Sequence, residues 1–222
     1  MKFLKITFLI SIIIFLNSCA SSYQTINPSN LNYKSRVVSN EVILEYKYDL
    51  LDKKYEKKET KKNVRFVALK ITNNSDRDLT FGTDIKLAYD NNSAVNIMTN
   101  NQTFKSLKQS PATHLLYLLL APVNLYTTKT TNRGIEQKST PIGLVIGPGL
   151  AAGNMIAAGS ANKKFKDDVF QKSIDGVVIE RGKTASGLIG IRSNSYDALK
   201  LLFEGDQTAK SSITKDTIDH EE

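Results

Sequence analysis

The sequence predicts a mainly β fold: an antiparallel β-sandwich with an inserted apolar helical hairpin, α+β overall. Three observations lead there. Short β-prone runs broken by Asn, Asp and Ser turns fill residues 40–98, and the same rhythm returns over residues 177–203. Between these blocks lies a stretch rich in Leu, Gly and Ala, whose prolines and glycines mark helix starts and stops.

The strand elements follow in order. "NEVILEYKYDLL", Asn40 to Leu51, sets Leu44, Tyr46 and Tyr48 on one side against Glu45, Lys47 and Asp49 on the other. "DKKYEKKETKK", Asp52 to Lys62, reads as a solvated hairpin tip between strands. "VRFVALKI" alternates over Val64 to Ile71, "TNNSDRD" is a polar turn, and Leu79 to Met98 supplies two or three shorter strands. Near the end come Val177 to Glu180, a turn at Arg181-Gly182-Lys183, Ala185 to Ile191, and Ala198 to Phe203. This pattern favours a sandwich or a barrel. The pair "VALKITNNSDRDLTF" and "VVIERGKTASGLIGI" resembles the paired strands of immunoglobulin-like sandwich domains in bacterial envelope proteins. That resemblance implies an immunoglobulin-like sandwich and implies nothing about activity.

The insertion covers about residues 108–171. Ser110-Pro111 starts a helix that runs through "ATHLLYLLLAPVNLY" until Pro122 ends or kinks it. "TTKTTNRGIEQKS" is a polar loop, and a second apolar arm begins at Thr140-Pro141, breaks at Gly147-Pro148-Gly149 and restarts beyond. Gly149, Gly153, Ala157 and Ala161 recur every four residues and make a nearly bare helical face that another helix can approach closely. The stripe is similar to the glycine zippers of some membrane-associated proteins, and Gly143 with Gly147 repeats its spacing upstream. No charge falls between Lys138 and Lys163, which suits lipid. Pro141, Pro148, Asn154 and the glycines suit a spanning helix poorly, so packing on its own sandwich or on a neighbouring subunit is the expectation, with bilayer insertion as the alternative.

The front of the chain gives an address. After Met1-Lys2-Phe3-Leu4-Lys5, residues Ile6 to Leu16 are apolar apart from Thr7 and Ser11, the basic start and short apolar run of a secretory signal. A membrane-spanning helix needs roughly 20 apolar residues, and this run is too short. Leu16-Asn17-Ser18-Cys19 then resembles the lipobox of bacterial lipoproteins, although Asn17 replaces the commoner small residue. The resemblance implies removal of residues 1–18, lipid on Cys19 and a membrane partner held through that lipid. Cys19 is the only cysteine, so no disulfide framework competes for it. The expected organisation is a signal peptide at 1–18 and a lipidated flexible tether at 19–32. A sandwich domain follows at 33–204 with the hairpin inserted, then a disordered tail at 205–222.

Charge and chemistry narrow the classes. Loss of Lys2 and Lys5 with the signal lowers the formal net charge from +8 to +6, a moderate balance without any nucleic-acid recognition motif. His114 sits among apolar residues, His220 lies in the tail, and no Gly-x-Ser-x-Gly elbow, His-Glu-x-x-His pair or phosphate loop occurs. No catalytic residue, metal ligand or cofactor is nominated. Asp84, Asp90 and Glu180 are the carboxylates that could meet in space. Asp216-Thr217-Ile218 resembles the O-glycosylation site of some Bacteroidota, whose lipoproteins this Lys-, Asn- and Ile-rich chain looks like, making Thr217 a candidate acceptor. Ala20-Ser21-Ser22 lacks the acids that mark other destinations in such lipoproteins, which implies the periplasmic face of the outer membrane. The expected role is non-catalytic binding or scaffolding, the hairpin meeting an envelope protein or another copy. A membrane-inserting oligomeric assembly through the glycine-rich helix and an envelope enzyme with a carboxylate site are the alternatives.

Overall fold

The computed structural model describes residues 20–132 and 134–204. They divide into two compact units, one of residues 24–108 and 164–204, the other of residues 20–23 and 109–163. The fold is an α+β mixture of antiparallel sheets and three α-helices among the described residues.

The first unit is built on a five-stranded sheet in the order β1-β2-β3-β10-β6. Strands β1 (Ser35–Ser39) and β2 (Val42–Lys47) form a hairpin whose two turn residues, Asn40 and Glu41, have φ of 47° and 61°. Two successive positive φ values give the tight turn whose twist matches the strands it joins. Strand β3 (Val64–Asn73) lies between β2 and β10 (Thr184–Arg192), and β6 (Ile97–Met98) pairs the far side of β10. Strand β5 (Ile85–Tyr89) pairs β11 (Leu199–Phe203), and β4 (Leu79–Thr80) pairs β9 (Val178–Ile179). Leu44, Leu69, Ile71 and Ile189 of the large sheet share one core cluster with Ile85, Leu87 and Leu201 of the β5–β11 pair.

Two helices close the other side of the sheet. Lys53–Lys62 forms helix α1 where a solvated hairpin tip was expected. Its apolar signal is a single residue, Tyr55, buried with Glu59 at the next turn, while Lys53, Lys57, Lys61 and Lys62 are exposed. Helix α2 (Asn100–Leu107) opens with a capping box in which Thr99 and Gln102 satisfy each other's backbone N–H groups. Two glycines of β10 admit close neighbours, Thr103 of α2 at Gly190 and the segment after Gln171 at Gly187. A Cβ on Gly190 would lie 2.1 Å from Thr103 Oγ1, and one on Gly187 would lie 2.8 Å from the Ile174 amide nitrogen. Phe165, near the end of helix α3 (Gly143–Gln171), packs against Tyr55, Phe66 and Phe104 with ring centroids 5.1, 5.5 and 6.0 Å away.

Residues 24–32, expected within a flexible tether, are ordered on this unit. Ile26 and Pro28 are buried, the Ile26 N–H donates to Asp168 Oδ2 at 2.7 Å, and Lys172 Nζ donates to the Ile26 carbonyl at 2.6 Å. Asp168 and Lys172 are themselves paired at 2.7 Å, so one ion pair holds both polar groups of a single residue. The physical reason is burial: a backbone amide out of water needs a partner, and this pair supplies it.

The second unit holds a ten-residue 3-10 helix, Pro111–Leu120, strands β7 (Leu125–Thr131) and β8 (Gly134–Thr140), and the first part of α3. Two expectations are corrected here. The segment expected as a polar loop pairs as an antiparallel β-hairpin, Leu125 opposite Thr140 through to Thr131 opposite Gly134. The expected break at Gly147-Pro148-Gly149 is absent, and α3 runs through Pro148 unbroken. Pro148 lies early in the helix, where its missing N–H costs one bond, to the Leu144 carbonyl.

Candidate functional site

The second unit carries the feature that calls for a functional account. Among the described residues the exposed large apolar side chains fall in it, apart from Val38, Phe170, Val178 and Tyr196. Leu116, Leu119, Val145 and Ile156 are 61, 72, 76 and 73% exposed. Residues 109–128 and 139–162 contain no Asp, Glu, Lys or Arg, so this surface has no charge of its own to justify its contact with water.

Internal packing uses the opposite helical face. A Cβ on Gly143 would lie 1.9 Å from the Leu120 carbonyl oxygen, and one on Gly147 would lie 2.8 Å from that of Tyr117. These glycines bring the 3-10 helix backbone against α3, and Ala151 and Ala158 continue the buried line. Of the residues expected to form a contact face, Gly149, Gly153 and Ala157 are exposed, and a Cβ on either glycine would meet nothing within 4 Å. Ala161, the fourth, is buried. Cys19 and Thr217 lie outside the described residues.

Three amide side chains inside the charge-free arms were not singled out by sequence reasoning as functional. Gln109 Oε1 accepts the Ser21 N–H at 3.0 Å, and its Nε2 donates to the Ser21 carbonyl at 2.6 Å. The Gln109 backbone is gripped in the same way by Asn162, whose Oδ1 accepts its N–H at 2.7 Å and whose Nδ2 donates to its carbonyl at 2.9 Å. Asn154 Oδ1 accepts the Ala20 N–H at 2.6 Å while its Nδ2 donates to the Leu150 carbonyl at 2.8 Å. Residues 20 and 21, also expected in the tether, are therefore fastened to this unit. The available signal was the presence of amides in an otherwise apolar run, since such groups need partners when buried.

The first unit holds one conspicuous ionisable group. Glu59 is buried on α1, and its Oε1 accepts the Phe66 N–H at 2.6 Å. Burial pushes its carboxyl up to about 7, against the opposing pull of that hydrogen bond and of Arg65. Arg65 is buried as well, donating from Nη2 to the Asn194 carbonyl at 2.8 Å with its guanidinium 4.4 Å above the Tyr196 ring. This arrangement ties α1 to the sheet. An open depression of about 370 Å³ is lined by Asn40, Glu41, Ser75, Asp76, Arg77, Leu79 and Phe203.

Of the carboxylates named from sequence, Asp84 and Asp90 do not meet. Asp84 and Asp90 flank the two ends of β5, which sets them about 20 Å apart at strand rise, far beyond the separation of paired glycosidase carboxylates. Asp84 Oδ2 instead accepts the Thr80 N–H at 2.7 Å, and Glu180 is exposed. Among the described residues no group of three or more His, Cys, Asp or Glu is placed to hold a metal ion. Comparison with family models, curated proteins and solved structures finds no match.

Proposed function

We propose that the protein is a lipid-anchored component of a bacterial cell envelope with a non-catalytic binding or scaffolding role, and that the unit of residues 109–163 is its contact surface. The observation that carries this reading is the concentration of exposed Leu, Val and Ile on that unit, whereas most apolar side chains of the first unit are gathered in its core. Isolated exposed leucines are ordinary; a contiguous set without charges marks a surface that is covered in use. The anchor is Cys19, on the strength of the lipobox resemblance, with the periplasmic face of the outer membrane as its site. The first unit is read as an immunoglobulin-like sandwich, supported by the core shared between the five-stranded sheet and the β5–β11 pair.

A specific observation favours a second reading, a membrane-inserting assembly. Helix α3, 29 residues long with a mean hydropathy of 1.3 in its most apolar window, is long and apolar enough to cross a bilayer, and only 22% of that window is buried.

Two measurements test the proposal. Intact-mass spectrometry of protein from a Gram-negative host is expected to show a chain starting at Cys19 with acyl groups; an unacylated chain removes the anchor. Cysteines introduced at Leu116 and Leu119 are expected to react with a polar maleimide in the soluble Cys19→Ser protein and to be shielded in native envelopes. Equal reactivity in both removes the contact surface.

A further inference from the structure

We propose that the occupant of this apolar surface is the bilayer itself, the same leaflet that receives the acyl chains, so that the unit of residues 109–163 is seated in lipid beside its own anchor. This rests on the lipidated reading of Cys19 and deepens it by naming what the contact surface meets.

The argument starts from Ala20 and Ser21. A long disordered tether would let a lipid-anchored domain stand well away from the membrane. Here the first residues after the lipidation position are fixed instead: Ala20 by Asn154, and Ser21 by both ends of the Gln109 side chain. Consecutive Cα atoms are about 3.8 Å apart, so acyl chains on the residue before Ala20 would be tethered one residue from the Ala20–Asn154 hydrogen bond. Asn154 itself lies within the charge-free run, one helical turn from Leu150 and two from Ile146, both exposed.

The surface around that bond has the character lipid requires. Both arms of the unit lack charged residues, and their backbone is hydrogen-bonded along the 3-10 helix and α3, while the open edges of the β7–β8 hairpin belong to the charged, polar stretch between them. Lys129, Glu136 and Lys138 are confined to the hairpin between the arms, and Lys163 follows at the other limit of the unit. A protein partner would have to cover the same side chains while acyl chains emerge through or beside the interface. The bilayer covers them without displacement, and two or three acyl chains keep it permanently within reach.

The chain contains no Trp, so a single reporter reads one position. Acylated full-length Leu119→Trp and Val145→Trp proteins, at side chains 72 and 76% exposed, are reconstituted in phosphatidylethanolamine and phosphatidylglycerol vesicles with brominated acyl chains. Tyr196→Trp, in the first unit, serves as the control. The expected result is loss of most of the emission of the first two and none of the control's. Acylated protein whose Leu119→Trp and Val145→Trp emission survives bromine overturns the inference, whether the reporters stay solvated or are shielded in a particle of doubled mass, the latter showing a second copy on the face. The mass of the same sample separates the failures: a missing acyl mass overturns the anchor on which the inference rests, while intact acylation without quenching overturns the lipid seat alone.

Discussion

Glu59 Oε1 accepts the Phe66 N–H at 2.6 Å across the turn at Asn63, whose φ of 51° ends α1 in the left-handed region and sends the chain back along β3. A buried carboxyl thus holds helix to strand. Because its folded value is raised from 4.5 to about 7, the neutral form is favoured by folding. The associated stability is complete below the unfolded value and is lost as pH rises through about 7, a difference of about 3 kcal/mol at most. Glu59→Gln keeps an oxygen for Phe66 and carries no charge beside Arg65, Asp49 and Glu56. Thermal denaturation is expected to show the variant gaining on the parent from about pH 5 to about pH 8. A constant gap across that range would show that Glu59 does not titrate as burial requires.

The contact of α2 with β10 depends on the absence of one side chain. Gly190→Ala would place its Cβ 2.1 Å from Thr103 Oγ1 and 2.6 Å from Cγ2, both on a stiff, buried, β-branched side chain that cannot swing aside. Urea denaturation is expected to show a loss of about 1–3 kcal/mol. Thr103→Ala removes the two nearest clashing atoms and leaves its own Cβ at 2.9 Å, so the double variant should recover part of that loss, a coupling characteristic of direct contact. Strict additivity would place the damage elsewhere.

These two relationships also mark what was legible. Strands β2, β3 and β10 could be read because alternation and β-branched residues are local properties of a strand. Helix α1 was missed because its buried face is only Tyr55 and Glu59, too small a signal against its lysines. The β7–β8 hairpin was missed because every described residue in its strands is exposed and nothing alternates. The lipobox resemblance rests on a contiguous pattern, visible without a fold. The Gln109–Ser21 and Gln109–Asn162 pairs join residues 88 and 53 positions apart, a relationship that only the folded chain expresses.

Two glycines one and a half helical turns apart in α3 should respond in opposite directions. Gly147 faces the Tyr117 carbonyl oxygen at 2.8 Å from a Cβ position, and backbone cannot yield as a flexible side chain does. Gly147→Ala is expected to cost about 1–3 kcal/mol and to speed amide exchange in Pro111–Leu120, the segment it displaces. Gly153 has nothing within 4 Å, so Gly153→Ala gains helix propensity without a clash, about 1 kcal/mol of stability. Hydrogen exchange by mass spectrometry reads both. A stabilised Gly147→Ala protein would mean that the 3-10 helix does not rest on α3.

Gln109 and Asn154 are the residues through which Ser21 and Ala20 are fastened. The Gln109 side chain closes two hydrogen bonds to Ser21, its backbone closes two to Asn162, and it is 2% exposed. Gln109→Ala removes the first pair and leaves the second, so the unit should keep its packing while Ser21 loses its hold and Ala20 keeps only its bond to Asn154. Leaving the Ser21 groups without protein partners costs about 1–3 kcal/mol if they stay buried, and less if they turn to water, so release is the cheaper outcome. Spin labels at Ser22 and Ser160, both exposed and within one unit, report this directly by electron–electron distance measurement. A narrow distribution is expected in the parent and a broad one in Gln109→Ala, with the Gly147 region's exchange unchanged. A parent distribution as broad as the variant's would mean that the segment after Cys19 is a free tether, and the bilayer could then lie anywhere within its reach.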